Sequence, residues 1–489
     1  MIPINFSAYA MNQIVEKAEQ PSSFVIENQQ FPESFDPRGY LDFPVQSQGE
    51  RNLCWAFSSL GSIESYLLRK GIEQKLSVLY MDYLTAENAN GIYAQNIHAY
   101  PRSAGGVGYE YMSLYSAMRW LGPVAEEEMP YVSVLDKRAV ALNELVKTPV
   151  VHVQGMVVLP PLEQDDHELQ LYQKIQKVKE HLWNNGSLSY SWNISDLDSG
   201  IVNKEHQAYY VPEYLAKAEV NHTSLIVGWD DYYPKENFTL RPNRDGAFIV
   251  KNSWGPYWGD EGYYYLSYED YYFAYSALYG VDQVEENDNY DHQYSHTDFY
   301  GDYSLNFYRE HCYIANVFTA PKQEEVLKAV AISTRQYDTP YEIYVNVNND
   351  SINQLNQLVK VASGIKRNPG IETIVLEEAL PIQAEENFAI VVKYTKPKGV
   401  EEGAVAIESE NISQHVRVNE GESFISLYTN EDNLSFESCK EFNVYIHAYT
   451  DNVGPKVVQS TAEPETTFVN FSSKSIDFMR PQTNGSVPH

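Results

Sequence analysis

The chain has 489 residues, more than a single compact core usually holds, so two folded domains with tails are expected. A formal charge of −32 argues against nucleic acid as a partner, because an acidic surface repels phosphate. No stretch approaches the roughly 20 apolar residues of a membrane helix, and the first residues lack the basic and apolar segments of a signal sequence. We therefore expect a soluble chain that is either intracellular or has lost a leader.

Four stretches of different composition follow one another along the chain. Residues 1–30 are polar and have no clear period, which predicts an extended arm or a leader remnant. Residues 31–282 mix helical and strand patterns, and an acidic, tyrosine-rich connector after them marks the boundary. Residues 290–451 contain apolar or alternating segments between Asn, Gly, Pro and Asp clusters, which is typical of a β-sandwich. Residues 452–489 are rich in Ser, Thr, Pro and Asn and predict a tail or stalk.

Three amphipathic helices are predicted in the first of the two domains. In CWAFSSLGSIESYLLRKG the apolar residues recur every three or four positions and Gly71 stops the pattern, so Cys54 lies in the first turn of a helix. The segment YMSLYSAMRWLG predicts a second helix that ends at Gly122. The segment HELQLYQKIQKVKEHLWNNG predicts a third, with Leu171 and Leu182 on one apolar face.

Cys54 is a candidate nucleophile. Only a thiolate attacks, and a free cysteine with a pKa of roughly 8.5 is mostly protonated at neutral pH, so the positive end of a helix would help. Taken alone, a cysteine is more often a buried, inert thiol. The segment QGERNLCWAFSSLGSIES, however, resembles the active-site segment of papain-like cysteine peptidases, and the resemblance implies that Gln48 helps to hold the oxyanion. Arg51 stands where secreted members of that family usually have a disulfide-forming cysteine, so loop rigidity must come from elsewhere.

Two further segments resemble the histidine and asparagine motifs of the same family, in the correct order. His222 in AEVNHTSLIVGWDD is predicted at the entrance of a buried strand, and Asn252 in FIVKNSWG at the end of another. An amide oxygen can accept the imidazole N–H that faces away from the thiol, which fixes the tautomer, and Trp254 would shield that bond. Gly105 and Gly106 resemble the glycines that bind an extended substrate backbone.

The second domain resembles the lectin-like domain of some bacterial secreted or cell-wall cysteine peptidases. Tyr300, Tyr303 and Tyr308 could stack on sugar rings or fill a core, and the core is favoured. The group His292, His296 and Asp298 matches no recognised metal spacing and is expected in a solvated linker, so no metal is predicted.

We therefore expect an α+β protein, a papain-like two-lobed peptidase domain followed by an all-β, lectin-like domain. It would hydrolyse protein or peptide substrates as an endopeptidase through a thioester, without a cofactor, after secretion or at the cell surface and with a possible glycan or cell-wall partner. An exopeptidase or transpeptidase on the same scaffold, or a surface-binding protein with a vestigial peptidase domain, remains open. Side-chain preference and the pairing of Cys312 with Cys439 are also undecided.

Overall fold

The computed structural model describes residues 31–88, 98–134, 147–163, 167–217, 219–320, 323–347, 358–427 and 434–453. The predicted arm at residues 1–30 and nearly all of the predicted tail lie outside these ranges. Within them, none of the helices has the length and apolar character needed to span a membrane.

The three predicted helices are present among the described residues. The α-helices are α1 Cys54–Arg69, α2 Val78–Leu84, α3 Glu110–Met118, α4 His167–Asn184 and α5 Tyr271–Tyr275. The second predicted helix, α3, ends four residues earlier than expected, because Trp120 adopts a φ of 60° that a right-handed helix cannot contain. Helix α2 was not predicted; its N-cap, Ser77, accepts a hydrogen bond from the Tyr80 N–H.

The regular structure outside these helices is mostly β-strand in the described chain. The strands of the first domain are β1 Ser34–Phe35, β2 Ala86–Asn88, β3 Tyr100–Ser103, β4 Val151–Leu159, β5 Leu188–Trp192, β6 Ala208–Tyr209, β7 His222–Asp230, β8 Ala247–Lys251, β9 Tyr263–Ser267 and β10 Leu278–Glu286. Those that follow are β11 His292–Tyr294, β12 Ser304–Phe307, β13 His311–Thr319, β14 Glu325–Thr334, β15 Thr339–Val347, β16 Val359–Lys366, β17 Gly370–Ile382, β18 Asn387–Thr395, β19 Gly403–Ser409, β20 Ser423–Ser426, β21 Glu437–Ser438, β22 Phe442–Val444 and β23 Ile446–Asn452.

One sheet runs through both halves of the chain. Its order is β11-β23-β14-β17-β4-β10-β5-β7-β8-β9-β6, with β1 paired to β7. The two halves join where β17 pairs antiparallel with β4, from Gly370 opposite Val157 to Glu372 opposite Gly155. Gly370 has a φ of 112°, and a Cβ there would lie 1.9 Å from the Met156 carbonyl oxygen, so only glycine permits this approach of the strands.

A second sheet completes the predicted sandwich. Strands β16-β15-β18-β13-β20-β21 form it, and their apolar side chains share a core with those of β14 and β23 in the large sheet. Tyr300 is fully buried, as predicted, and Tyr303 packs against the core, whereas the core prediction is wrong for Tyr308, which is 70% exposed. Cys312 and Cys439 are free, buried thiols.

The residues between the domains are not a solvated linker, contrary to the sequence-based expectation. His292 begins β11, which pairs with β23, and its Nε2 lies 3.0 Å from Asn452 Oδ1. His296 Nε2 lies 2.8 Å from the Val317 carbonyl oxygen. Asp298 accepts a bond from Arg119 in the first domain. Over the described residues no group of His, Cys, Asp and Glu side chains is arranged to hold a metal ion.

Candidate active site

Helix α1 begins at Cys54 and so places this thiol at the positive end of the helix. The backbone N–H groups of Thr223 and Trp55 also favour the thiolate and lower its pKa. Burial acts more strongly in the opposite direction, and the neighbouring charge of Glu110 adds to it, so that the pKa of Cys54 is raised to about 11. The surroundings of the sulfur therefore favour the neutral thiol over the thiolate.

His222 is the first residue of β7, and Asn252 directly follows β8, the neighbouring strand. His222 Nε2 lies 2.8 Å from Asn252 Oδ1, which also accepts the Ser253 N–H at 2.8 Å. Because an amide oxygen only accepts, the Nε2 atom donates, and Nδ1 is the acceptor in the neutral ring. Burial lowers the pKa of His222 to about 4. In the part of the chain that the structure describes, no hydrogen bond joins this ring to the Cys54 thiol. The thiol instead contacts the backbone N–H of Thr223, the residue that follows His222.

Aromatic rings enclose the imidazole on two sides. The Trp254 ring centroid lies 4.6 Å from that of His222, and Trp192 approaches at 5.4 Å with its plane nearly perpendicular. Trp258 in turn packs edge-on against Trp254 at 5.0 Å. The sequence predicted a role for Trp254 but not for Trp192. Only strand pairing identifies Trp192, because it lies opposite His222 in the β5–β7 ladder.

Gln48 is held by the segment that follows Asn252. Its Oε1 accepts a bond from Ser253 Oγ at 2.7 Å, and its backbone N–H donates to the Ser253 carbonyl at 2.8 Å. The side-chain Nε2 donates one hydrogen to the Arg51 carbonyl at 2.8 Å. An amide nitrogen carries two hydrogens, so one is used within the loop.

A buried charge network tethers the loop before Cys54. Asp82 of α2 is fully buried and accepts bonds from the Gly105 N–H at 2.8 Å and from Arg102 Nη2 at 2.6 Å, while Arg51 Nη1 lies 3.5 Å away. Arg51 Nε also donates to the Val132 carbonyl at 2.8 Å. Arg51, at the position where a disulfide-forming cysteine is usual in the resembling family, thus helps to fix the loop by charge and hydrogen bonds in place of a covalent bond. Sequence reasoning did not find Asp82, since a lone aspartate in an unpredicted helix gives no signal.

The predicted substrate glycines have their backbone groups occupied. The Gly105 N–H donates to Asp82 and its carbonyl accepts from Asn52; the Gly106 N–H donates to Ser103 and its carbonyl accepts from Trp55 and Arg102. Gly108, which was not predicted from the sequence, differs from both in its hydrogen bonding. Over the described residues its N–H and carbonyl have no hydrogen-bond partner, it is partly exposed, and a Cβ there would lie 2.7 Å from the Trp55 ring.

Two family models match this chain. The model described as "Papain family cysteine protease" matches residues 31–281, just over half of the 489 residues, and "Lectin like domain" matches residues 292–450. The chain therefore belongs to the papain family of cysteine proteases, with a lectin-like domain after the protease domain.

Relatives show both the likeness and its limits. Cathepsin F of Drosophila melanogaster is 29% identical over 226 residues, which are 45% of this chain and 30% of that protein. Cathepsin K of Mus musculus is 26% identical over 243 residues, 48% of this chain and 60% of that protein. The chain thus spans less than two thirds of the length of these curated relatives.

A solved structure resembles both domains. The protease and lectin-like domains of Cwp84, a surface layer associated protein of Clostridium difficile, have a TM-score of 0.69 and 23% identity to this chain. The match covers 86% of this chain and 89% of that one. At this level of identity the likeness shows a common fold.

Proposed function

We propose that this chain is an endopeptidase that hydrolyses peptide bonds through a thioester acyl-enzyme. The observation that carries the proposal is the 2.8 Å contact between His222 Nε2 and Asn252 Oδ1, beside a thiol at the start of α1. The contact leaves Nδ1 of the ring as the acceptor for the thiol proton, after a small movement of the side chains when substrate binds.

The steps follow from these groups. Cys54 Sγ attacks the carbonyl carbon while His222 Nδ1 takes the thiol proton. The oxyanion accepts bonds from the Cys54 backbone N–H and from the second hydrogen of Gln48 Nε2, the one that Arg51 does not use. Collapse of the intermediate breaks the C–N bond, and the leaving amine takes the proton from His222. Water then attacks the thioester, again losing a proton to His222, and releases the acid and the thiol.

The substrate backbone lies along Gly108 in this proposal, in place of Gly105 and Gly106. Among the described residues its N–H and carbonyl have no hydrogen-bond partner and remain for strand-like pairing with a peptide, while the missing side chain lets the backbone pack against the Trp55 ring. The occupied groups of Gly105 and Gly106 instead support the loop from behind.

Labelling of the full chain by an epoxide inhibitor of papain-like enzymes tests the proposal. Mass spectrometry should place one label on Cys54, and Cys54→Ala should abolish both labelling and peptide hydrolysis, while Cys439→Ala, which removes a buried thiol far along the chain, should keep both. An unlabelled Cys54 in a folded protein would defeat the proposal. Products cut only at the ends of a long peptide would defeat the endopeptidase part of it.

We further propose that the protein works in secreted or cell-surface form and that its lectin-like domain contacts a glycan or the cell wall. The support is the likeness of both domains to a surface layer associated protein. Sedimentation of the Cys54→Ala chain with purified cell walls is the test. Retention that soluble wall polysaccharide competes away is expected, and a chain that stays in the supernatant would contradict this part.

A further inference from the structure

Glu110 is a buried carboxyl group beside the reacting residues that the proposed mechanism does not use. It is the first residue of α3 and is 3% exposed. Its Oε1 accepts bonds from Ser191 Oγ at 2.6 Å and Thr223 Oγ1 at 3.3 Å. Thr223 directly follows His222, so this carboxyl group lies at the wall of the site.

Among the described residues, hydroxyl groups and not cations contact this carboxyl group. Over the residues that the structure describes, no Lys, Arg or His side chain forms an ion pair with Glu110. Burial raises the pKa of Glu110, and Asp302, from the lectin-like half, raises it further through its own charge. A buried carboxylate without a counter-charge is costly, and pairing with a cation offsets part of that cost.

Asp302 extends the negative charge to the surface. Its side chain is 53% exposed, and its Oδ1 accepts a bond from the Tyr279 hydroxyl at 3.3 Å. Arg335 lies 3.6 Å from it, but that guanidinium is held by Tyr300 and by backbone carbonyls of the same domain. The charge of Asp302 thus acts on Glu110 from the other domain, and among the described residues Arg335 forms an ion pair with Asp302 but not with Glu110.

Glu110 also lies near the Cys54 thiol and close to Gly108 in the chain. The charge of Glu110 acts on Cys54, whose sulfur also contacts the Thr223 N–H. Gly108, whose backbone groups are unused among the described residues, lies two positions before Glu110, in the loop that leads into α3. A peptide paired with Gly108 would thus carry one of its side chains past Glu110.

We propose that Glu110, with Asp302 at the rim, forms an acidic pocket beside Cys54 that selects a lysine or arginine side chain of the substrate near the scissile bond. The inference rests on the proposed proteolytic function. A cationic side chain would supply the counter-charge that Glu110 lacks among the described residues, whereas an apolar side chain would leave the carboxylate desolvated and unmatched.

The test separates charge selection from a structural bridge between α3 and the strands. Each of the four residues before the scissile bond of a fluorogenic peptide is set in turn to lysine or to norleucine, which has the same four-carbon chain without the terminal ammonium group. At one position lysine should raise kcat/KM by about tenfold or more over norleucine. In Glu110→Gln, which keeps an acceptor for Ser191 and Thr223, that ratio should fall to about 1–3, and in Asp302→Asn it should fall only partly.

Glu168→Gln is the matched control, because Glu168 also lies in the first turn of a helix and its side chain is 86% exposed. Its lysine preference should equal that of the wild type. Concentrations are normalised by epoxide titration of Cys54. An active enzyme with no lysine preference at any position, or a preference that persists in both Glu110→Gln and Asp302→Asn, overturns the inference and leaves proteolysis intact. A wild type that neither takes the epoxide nor cuts any peptide overturns the proposed function, and the pocket with it.

Discussion

The two sides of the candidate site are held by different forces. On the thiol side, the loop before Cys54 is fixed by buried charges around Asp82. On the imidazole side, His222 is fixed by strand pairing, one amide bond and the faces of Trp192 and Trp254. Charge networks fail abruptly when one member is removed, whereas packed rings and strand ladders lose energy in smaller steps. We therefore expect a single substitution to destabilise the thiol side more than the imidazole side.

The largest effect is expected from Asp82→Asn on the thiol side. Two buried guanidinium groups, those of Arg51 and Arg102, lose their shared carboxylate, which should lower the free energy of unfolding by about 3–5 kcal/mol. Urea denaturation measures it. Glu236→Gln is the control, because its ion pair with Arg241 is more than half exposed, and it should cost less than about 1 kcal/mol. Equal losses in the two variants would refute the role of burial.

On the imidazole side the sharpest probe is pH. Burial lowers the pKa of His222 to about 4, so the unfolded chain binds this proton below about 6.5 while the folded chain does not. The contribution of neutral His222 to the free energy of unfolding is therefore fully present above pH 6.5. It is lost as the pH falls towards 4, by up to about 3 kcal/mol.

The His222→Gln variant isolates that contribution. His152 and His181, whose pKa values burial lowers to about 4 and about 3, titrate in the same direction and form the background. Unfolding free energies measured at pH 7 and at pH 4.5 should therefore fall less in His222→Gln than in the wild type. The same fall in both proteins would mean that the ring is not buried in solution.

A smaller effect is expected from Asn252→Ala, which removes the amide oxygen that fixes the ring tautomer. We expect kcat to fall by about a hundredfold with little change in KM, because proton transfer and not substrate contact is affected. Steady-state kinetics on a single peptide measure both constants. An increase in KM alone would assign Asn252 to substrate binding.

The difference between the two sides also explains what could be predicted from the sequence. Cys54, His222 and Asn252 lie at the starts and ends of regular elements with strong local patterns, and the structure places them at those element boundaries. Asp82 and Glu110, by contrast, were not predicted, because their roles depend on partners far along the chain. Asp82 binds the Gly105 N–H and Glu110 binds Ser191, and no sequence periodicity links either pair. The continuation of one sheet across both domains likewise depends on the pairing of β4 with β17, far apart in the chain.

The smallest predicted effect couples the acidic pocket to the thiol. The charge of Glu110 raises the pKa of Cys54, so Glu110→Gln should make the thiolate easier to form. The pH profile of Cys54 alkylation by iodoacetamide should shift to lower pH by less than about one unit, because burial, the larger cause, remains. Glu168→Gln should leave the profile in place. An unshifted profile in Glu110→Gln would show that this carboxyl group is already protonated in the resting enzyme, and that it ionises only when a cation enters.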